Sequence, residues 1–183
     1  MRLFTALDLP GDIIGRMDEL LARLRPAAPI QWSTAARLHI TVKFIGVWPE
    51  VRLEELKTSL AGVAARDPIS VHLRELGAFL NPNRRRIFWC GVDAPGLAEL
   101  AADMEAATAA LGVAREERGY SPHVTLARIE EGFDMTALRT AVVAESTLDF
   151  GRFEARSFFL YQSRSKSGGP VYTKLAEFPL SHP

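Results

Sequence analysis

The sequence predicts an α+β fold of two lobes, and three observations point to it. Apolar residues shift between strand spacing and helical spacing along the whole chain. The order strand, helix, strand, helix, strand occurs twice. Three of those elements repeat at one common offset of 84 residues. Repetition of this kind implies two halves, approximately residues 1–83 and 84–183, related by a pseudo-twofold axis with a cleft between them. No Pro-, Gly- or Ser-rich linker divides them, so a single bilobal unit is expected.

The elements follow in order. Residues 2–8 read as a buried strand, after which Pro10, Gly11 and Asp12 break the chain and open a helix. Ile13, Ile14, Met17, Leu20, Leu21 and Leu24 form one apolar face of that helix, and Pro26 and Pro29 end it. Residues 38–46 read as a strand with Ile40, Val42 and Phe44 on one face and His39, Thr41 and Lys43 on the other. Leu53, Leu56, Leu60 and Val63 mark a second helix. Strands at 69–80 and 86–92 follow, joined by a turn at Asn81, Pro82 and Asn83. In the second round, Arg86-Ile87-Phe88 answers Arg2-Leu3-Phe4. Leu97, Ala101, Met104 and Thr108 answer Ile13, Met17, Leu20 and Leu24, and Pro122-His123-Val124-Thr125-Leu126 answers Leu38-His39-Ile40-Thr41-Val42. A helix opened by Asp134, one long strand over 148–162 and a final strand over 171–178 complete the pattern.

Composition narrows the function classes. With 183 residues, 48% hydrophobic and 24% charged, the chain can bury a core without disulfides or metal. Its one cysteine, Cys90, has no internal partner, and no zinc-type spacing of Cys and His occurs, so a reducing, cytoplasmic setting is expected. No apolar run is long enough for a signal peptide or a membrane span. Zero formal net charge argues against gross attachment to nucleic acid but leaves room for a local basic site.

Four histidines are present, and two of them, His39 and His123, open the pattern His, apolar, Thr, apolar. Residues i and i+2 of a strand share a face, so each imidazole lies beside its hydroxyl, Thr41 or Thr125. A pseudo-twofold would bring both pairs to one small volume, which is the make-up of an acid–base site. A metal site is the rival reading, but two histidines without a nearby Asp, Glu or Cys on their strands leave the coordination sphere unfilled.

The segments RLFTALDLP (2–10), LHITVKFIG (38–46) and YSPHVTLAR (120–128), with Leu160-Tyr161 and Tyr172-Thr173-Lys174-Leu175, resemble the two-histidine phosphoesterases. Within that family the similarity is to the RNA 2′,3′-cyclic phosphodiesterases once described as 2′-5′ RNA ligases. The resemblance covers nearly the whole chain. It implies an antiparallel sheet in each lobe and a metal-independent, cofactor-free site at His39, Thr41, His123 and Thr125. Its implied substrate is RNA ending in a 2′,3′-cyclic phosphate, opened to a 2′-phosphate, with His39 as the acid on O3′ and His123 as the base. The chemistry agrees, since in-line attack needs a base for water and an acid for the leaving oxygen, and imidazoles titrate in the right range. A bell-shaped pH profile with its maximum near neutrality is the corresponding expectation. Joining 2′,5′ RNA ends, opening small cyclic nucleotides, and noncatalytic binding of RNA ends remain as alternatives. A monomer is expected, with no membrane partner.

Arg128 follows the second motif and would neutralise phosphate charge, although strand parity sets it on the face away from His123 unless a bulge turns it. The turn Ser163-Arg164-Ser165-Lys166-Ser167-Gly168-Gly169 and the run Arg84-Arg85-Arg86 are the remaining basic signals. The turn is equally well explained as a plain hairpin loop, and the arginine run reads better as a solvated strand entrance than as an RNA track. Phe4, Phe44 and Tyr120 stand close enough to the motifs for one to stack a base. His72 and His182 have no Thr partner and are set aside.

Overall fold

In a computed structural model that describes residues 1–80, 86–145 and 147–181, the alternating apolar pattern becomes nine strands and four helices among the described residues. The order is β1 (Arg2–Asp8), α1 (Gly11–Leu24), β2 (Gln31–Trp32), β3 (His39–Val47), α2 (Leu53–Val63), β4 (Ile69–Leu80) and β5 (Arg86–Asp93). Then come α3 (Leu97–Ala110), β6 (His123–Ile129), α4 (Thr136–Val143), β7 (Asp149–Ala155), β8 (Ser157–Arg164) and β9 (Val171–Pro179). The turn at Asn81–Asn83, the basic residues Arg84 and Arg85, and His182 lie outside the described residues.

All strands are paired antiparallel in the order β7-β4-β5-β6-β3-β1-β8-β9, with β2 added on β6. One lobe is β3-β1-β8-β9 and the other is β6-β5-β4-β7; the seam between them is the single pair Ile40 opposite Val124. The lobes therefore do not coincide with the sequence repeats. β4 leaves the first repeat to pair with β5 of the second, and β8 leaves the second to pair with β1 of the first. The helices cross over as well, since α1 packs on β7 and α4 while α3 packs on β3 and α2.

The predicted strand over 148–162 is two strands separated at Arg156, because β7 serves the second lobe and β8 the first. The buried residues give the physical reason. Ala155 and Phe158 are three apart, so one unbroken strand would bury them on opposite faces. The α1 face expected from spacing is buried as Ile13, Met17, Leu20, Leu21 and Leu24, and its repeat mates Leu97, Ala101, Met104 and Thr108 are buried on α3. Thr108 is accommodated because its hydroxyl donates to the Met104 carbonyl at 2.7 Å. Asp134 precedes α4 and accepts from the Thr136 amide at 2.9 Å, closing the turn that leads into the helix.

Candidate active site

The alternation His, apolar, Thr, apolar sets the local structure of β3 and β6. In both strands the His and Thr are partly exposed and the residues between them are buried. Each histidine is fixed in the same way. His39 Nδ1 lies 2.7 Å from the Arg37 carbonyl, and His123 Nδ1 lies 2.8 Å from the Ser121 carbonyl. A carbonyl only accepts, so Nδ1 carries the proton in each ring, and Nε2 is left as the atom that gains or loses one. His39 Nε2 is 3.0 Å from the Thr41 hydroxyl.

Neighbouring strands complete two rows across the seam. β1 sets Asp8 beside His39 and Ala6 beside Thr41, while β5 sets Gly91 beside His123 and Trp89 beside Thr125. Around the Ile40–Val124 pair the antiparallel register brings His39 toward Thr125 and Thr41 toward His123. The doubled motif thus meets at one place, as its spacing predicts. One part of the repeat is shifted, however. Asp8 corresponds to Gly91 and Ala6 to Trp89, an offset one residue shorter than Arg2-Leu3-Phe4 against Arg86-Ile87-Phe88 implies. In a strand a one-residue slip exchanges the faces, so this decides which side chains of β1 and β5 face the site.

Bulges make the second correction. Val42 is an extra residue in β3 opposite β1, and Leu126 is its equivalent in β6 opposite β5. Beyond each bulge the parity flips. Lys43, expected beside Thr41, turns inward to 6% exposure and pairs with Glu105 at 2.7 Å. Phe44, expected in the core, is 67% exposed. Arg128 holds the same place in β6 and is brought round to the site, near enough to His39 to disfavour its charged form. The carbonyls freed at the bulges are satisfied by hydroxyls: Tyr120 donates to Thr41 at 2.9 Å and Ser33 to Thr125 at 2.8 Å. Tyr120 is therefore a strut. Phe4 is buried, stacked on Tyr161 and next to His39, so Phe44 is the exposed ring of the three aromatic candidates.

Burial lowers both imidazoles below the ordinary histidine range. For His39 desolvation is the largest cause, the Arg37 carbonyl and Asp8 oppose it, and Arg128 and His123 add to it. For His123 desolvation dominates and the Ser121 carbonyl opposes it. Sequence reasoning missed the Asp8 cluster: its carboxylate accepts from Tyr161 Oη at 2.5 Å and from Lys174 Nζ at 2.7 Å. It also missed Trp89. The signal for both lay in the register of β1 and β5 against the histidine strands. The basic turn after β8 lies beside His39, because Arg37 donates to the Gly168 carbonyl at 2.5 Å and Tyr172 meets the His39 ring edge-on. His72 pairs with Asp149 at 2.9 Å, away from both motifs. Among the described residues no three His, Cys, Asp or Glu side chains gather as a metal centre would need, and no helix is long and apolar enough to cross a membrane.

With this geometry in place, the model of the family described as LigT like Phosphoesterase matches residues 7–89 and again residues 92–172. The chain belongs to the LigT-like phosphoesterases. A LigT-like relative from Methanocaldococcus jannaschii, named RNA 2′,3′-cyclic phosphodiesterase, is 33% identical over 97% of this chain and 100% of its own. One of the same name from Archaeoglobus fulgidus is 31% identical over 97% and 99%. Among solved LigT-like structures, TT0787 of Thermus thermophilus superposes with a TM-score of 0.80 at 28% identity, covering 100% of this chain and 99% of that one. E. coli LigT complexed with 3′-AMP superposes with a TM-score of 0.77 at 27% identity, covering 99% and 98%. The family resemblance read from the doubled motif is borne out, and so is the two-lobed α+β fold of an enzyme.

Proposed function

We propose that this chain hydrolyses the 2′,3′-cyclic phosphate at the 3′ end of RNA to a 2′-phosphate, using His39 and His123 as a general acid–base pair and no metal. The observation that carries the reading is the matched fixing of the two rings, which leaves both Nε2 atoms as proton-transfer atoms at one seam. The names of the relatives support the substrate class. Both motifs belong to one chain, which supports a site complete in the monomer.

In this mechanism His123 Nε2 takes a proton from water as the water oxygen bonds to phosphorus. The P–O3′ bond breaks, and O3′ leaves with the proton of His39 Nε2. The product carries a 2′-phosphate and a 3′-hydroxyl, and solvent restores the two protonation states. Thr41 and Thr125 donate to the nonbridging oxygens, and the Arg128 guanidinium supplies positive charge for them. Asp8 supports the direction of proton flow, because it favours the charged form of His39 and glycine stands at its place beside His123.

The test is an oligonucleotide ending in a 2′,3′-cyclic phosphate, incubated with the protein in EDTA. Turnover to a 2′-phosphate end is expected. Turnover that stops with chelator and returns with a divalent metal would overturn the metal-free reading, and a 3′-phosphate product would overturn the orientation.

A further inference from the structure

Arg23, Arg25, Arg66, Arg74, Arg118 and Arg156 each stand within ion-pair distance of a carboxylate. One line of cations does not. It begins at Arg128, close to His39, passes through Arg37, and ends at Arg164 and Lys166 where β8 turns into β9. Among the described residues none of these four has a carboxylate at that distance. Asp8, the carboxylate beside His39, is already shared by Tyr161 Oη and Lys174 Nζ. In a chain of zero formal net charge this is a local excess of positive charge, and it leads away from the seam.

Arg37 ties the line together. Its carbonyl holds His39 Nδ1 at 2.7 Å, and its guanidinium donates to the Gly168 carbonyl at 2.5 Å. The close approach needs glycine at the next position: Gly169 adopts φ 96°, and a Cβ there would lie 2.5 Å from Arg37 Nη1. The Gly169 amide closes the turn on the Lys166 carbonyl at 2.9 Å. At the foot of the turn Tyr172 meets both His39 and Phe4 edge-on. The turn is therefore fixed to the same residue that fixes the imidazole, while Arg164 and Lys166 stay exposed.

In-line displacement says which way the RNA leaves. Water and O3′ lie on opposite sides of phosphorus, so with water at His123 the ribose lies on the His39 side. C5′ belongs to that ribose, and the chain upstream of it runs out over the lobe that carries the unpaired cations. We infer that the β8–β9 turn, held in place by Arg37, docks the phosphodiester backbone upstream of the cyclic phosphate, with Arg164 and Lys166 as its cations. The inference rests on the phosphodiesterase reading and on its placing of O3′ at His39. Contacts of this kind read charge and not base, so they favour a polymer over a mononucleotide without fixing its sequence, and they weaken with salt.

The experiment compares adenosine 2′,3′-cyclic phosphate, which has no upstream phosphate, with a short oligoribonucleotide ending in the same group. Wild type is expected to favour the oligonucleotide by roughly 3- to 30-fold in kcat/KM at low salt, mostly through KM. Its log–log salt dependence should be steeper by about 0.7 for each phosphate contacted. The double variant Arg164→Ala/Lys166→Ala should lose both the preference and the added slope while treating the mononucleotide as wild type does, and Arg164→Lys/Lys166→Arg should keep both. An oligonucleotide with neutral methylphosphonate linkages should be handled like the mononucleotide. Equilibrium binding of the 2′-phosphate oligonucleotide and adenosine 2′-phosphate reads the same contrast without turnover. An alanine double variant that keeps the wild-type preference, a preference that survives the neutral backbone, or equal kcat/KM for the two substrates in wild type would overturn the docking turn. Wild type that opens neither cyclic phosphate would instead defeat the phosphodiesterase reading.

Discussion

The two lobes present the same strand, the same bulge and the same His and Thr to the seam, yet the residues around them are opposites. Beside His39 stand Asp8 and Ala6, and the place beyond the bulge holds Phe44. Beside His123 stand Gly91 and Trp89, and the place beyond the bulge holds Arg128. A perfect twofold would give two equivalent imidazoles, whereas a hydrolysis needs one to give a proton and one to take it. On the proposed mechanism, the repeat supplies the acid–base pair and the departures from the repeat assign its roles: charge tuning beside His39 on the first lobe, and positive charge for the phosphate on the second.

The largest effects fall on what the lobes share. His39→Ala and His123→Ala should each lower turnover by roughly 10²- to 10⁴-fold while RNA binding is retained. Thr41→Ala and Thr125→Ala should cost less, on the order of 10- to 10³-fold. A threonine variant less active than both histidine variants would show that the rings are not the proton-transfer groups.

Next come the places where the lobes differ. Arg128→Ala removes a charge-assisted contact and should raise KM by roughly 10- to 100-fold. Phe44→Ala, at the equivalent place, should change kcat/KM by less than Arg128→Ala. Equal losses at the two positions, measured on one cyclic-phosphate oligonucleotide, would mean that they share a role.

Smaller still are the shifts with pH, and their sign is set by burial. The base must be neutral, so activity falls as pH drops through the His123 value; the acid must be protonated, so activity falls as pH rises through the His39 value. Both values lie below 6.5 in the free protein. The maximum of kcat/KM is therefore expected to lie to the acid side of the one that ordinary imidazoles would give, and kcat should peak at higher pH because bound phosphate favours both charged rings. Asp8→Asn should move the limb that belongs to His39 to lower pH and Arg128→Ala should move it higher, each leaving the other limb in place. Equal movement of both limbs in either variant would show that Asp8 and Arg128 do not act on His39 in particular.

Much of this was legible in the sequence because period-2 and period-3.6 patterns report burial directly. Helix α1, the histidine strands and the doubled motif are examples, and burial on α3 follows the 84-residue offset. The bulges at Val42 and Leu126 were not legible. An inserted residue leaves both flanking patterns intact and changes only their phase, which is why Lys43 and Phe44 were assigned to each other's faces. The break at Arg156 and the exchange of β4 and β8 between lobes depend on partner choice, which local pattern does not encode. Asp8 and Trp89 escaped notice because what sets them beside the motifs is the residue that faces each across a ladder.

The polarity of the pair is tested most directly by a substrate whose leaving atom needs no proton. In an RNA 2′,3′-cyclic phosphate with sulfur in place of O3′, the thiolate departs unprotonated, so the general acid is dispensable while the base is still required. Comparing kcat/KM for this substrate with that for the ordinary cyclic phosphate, His39→Ala should recover most of its lost activity and His123→Ala should recover none. Recovery in His123→Ala with none in His39→Ala would contradict the assignment of the acid to the Asp8 lobe.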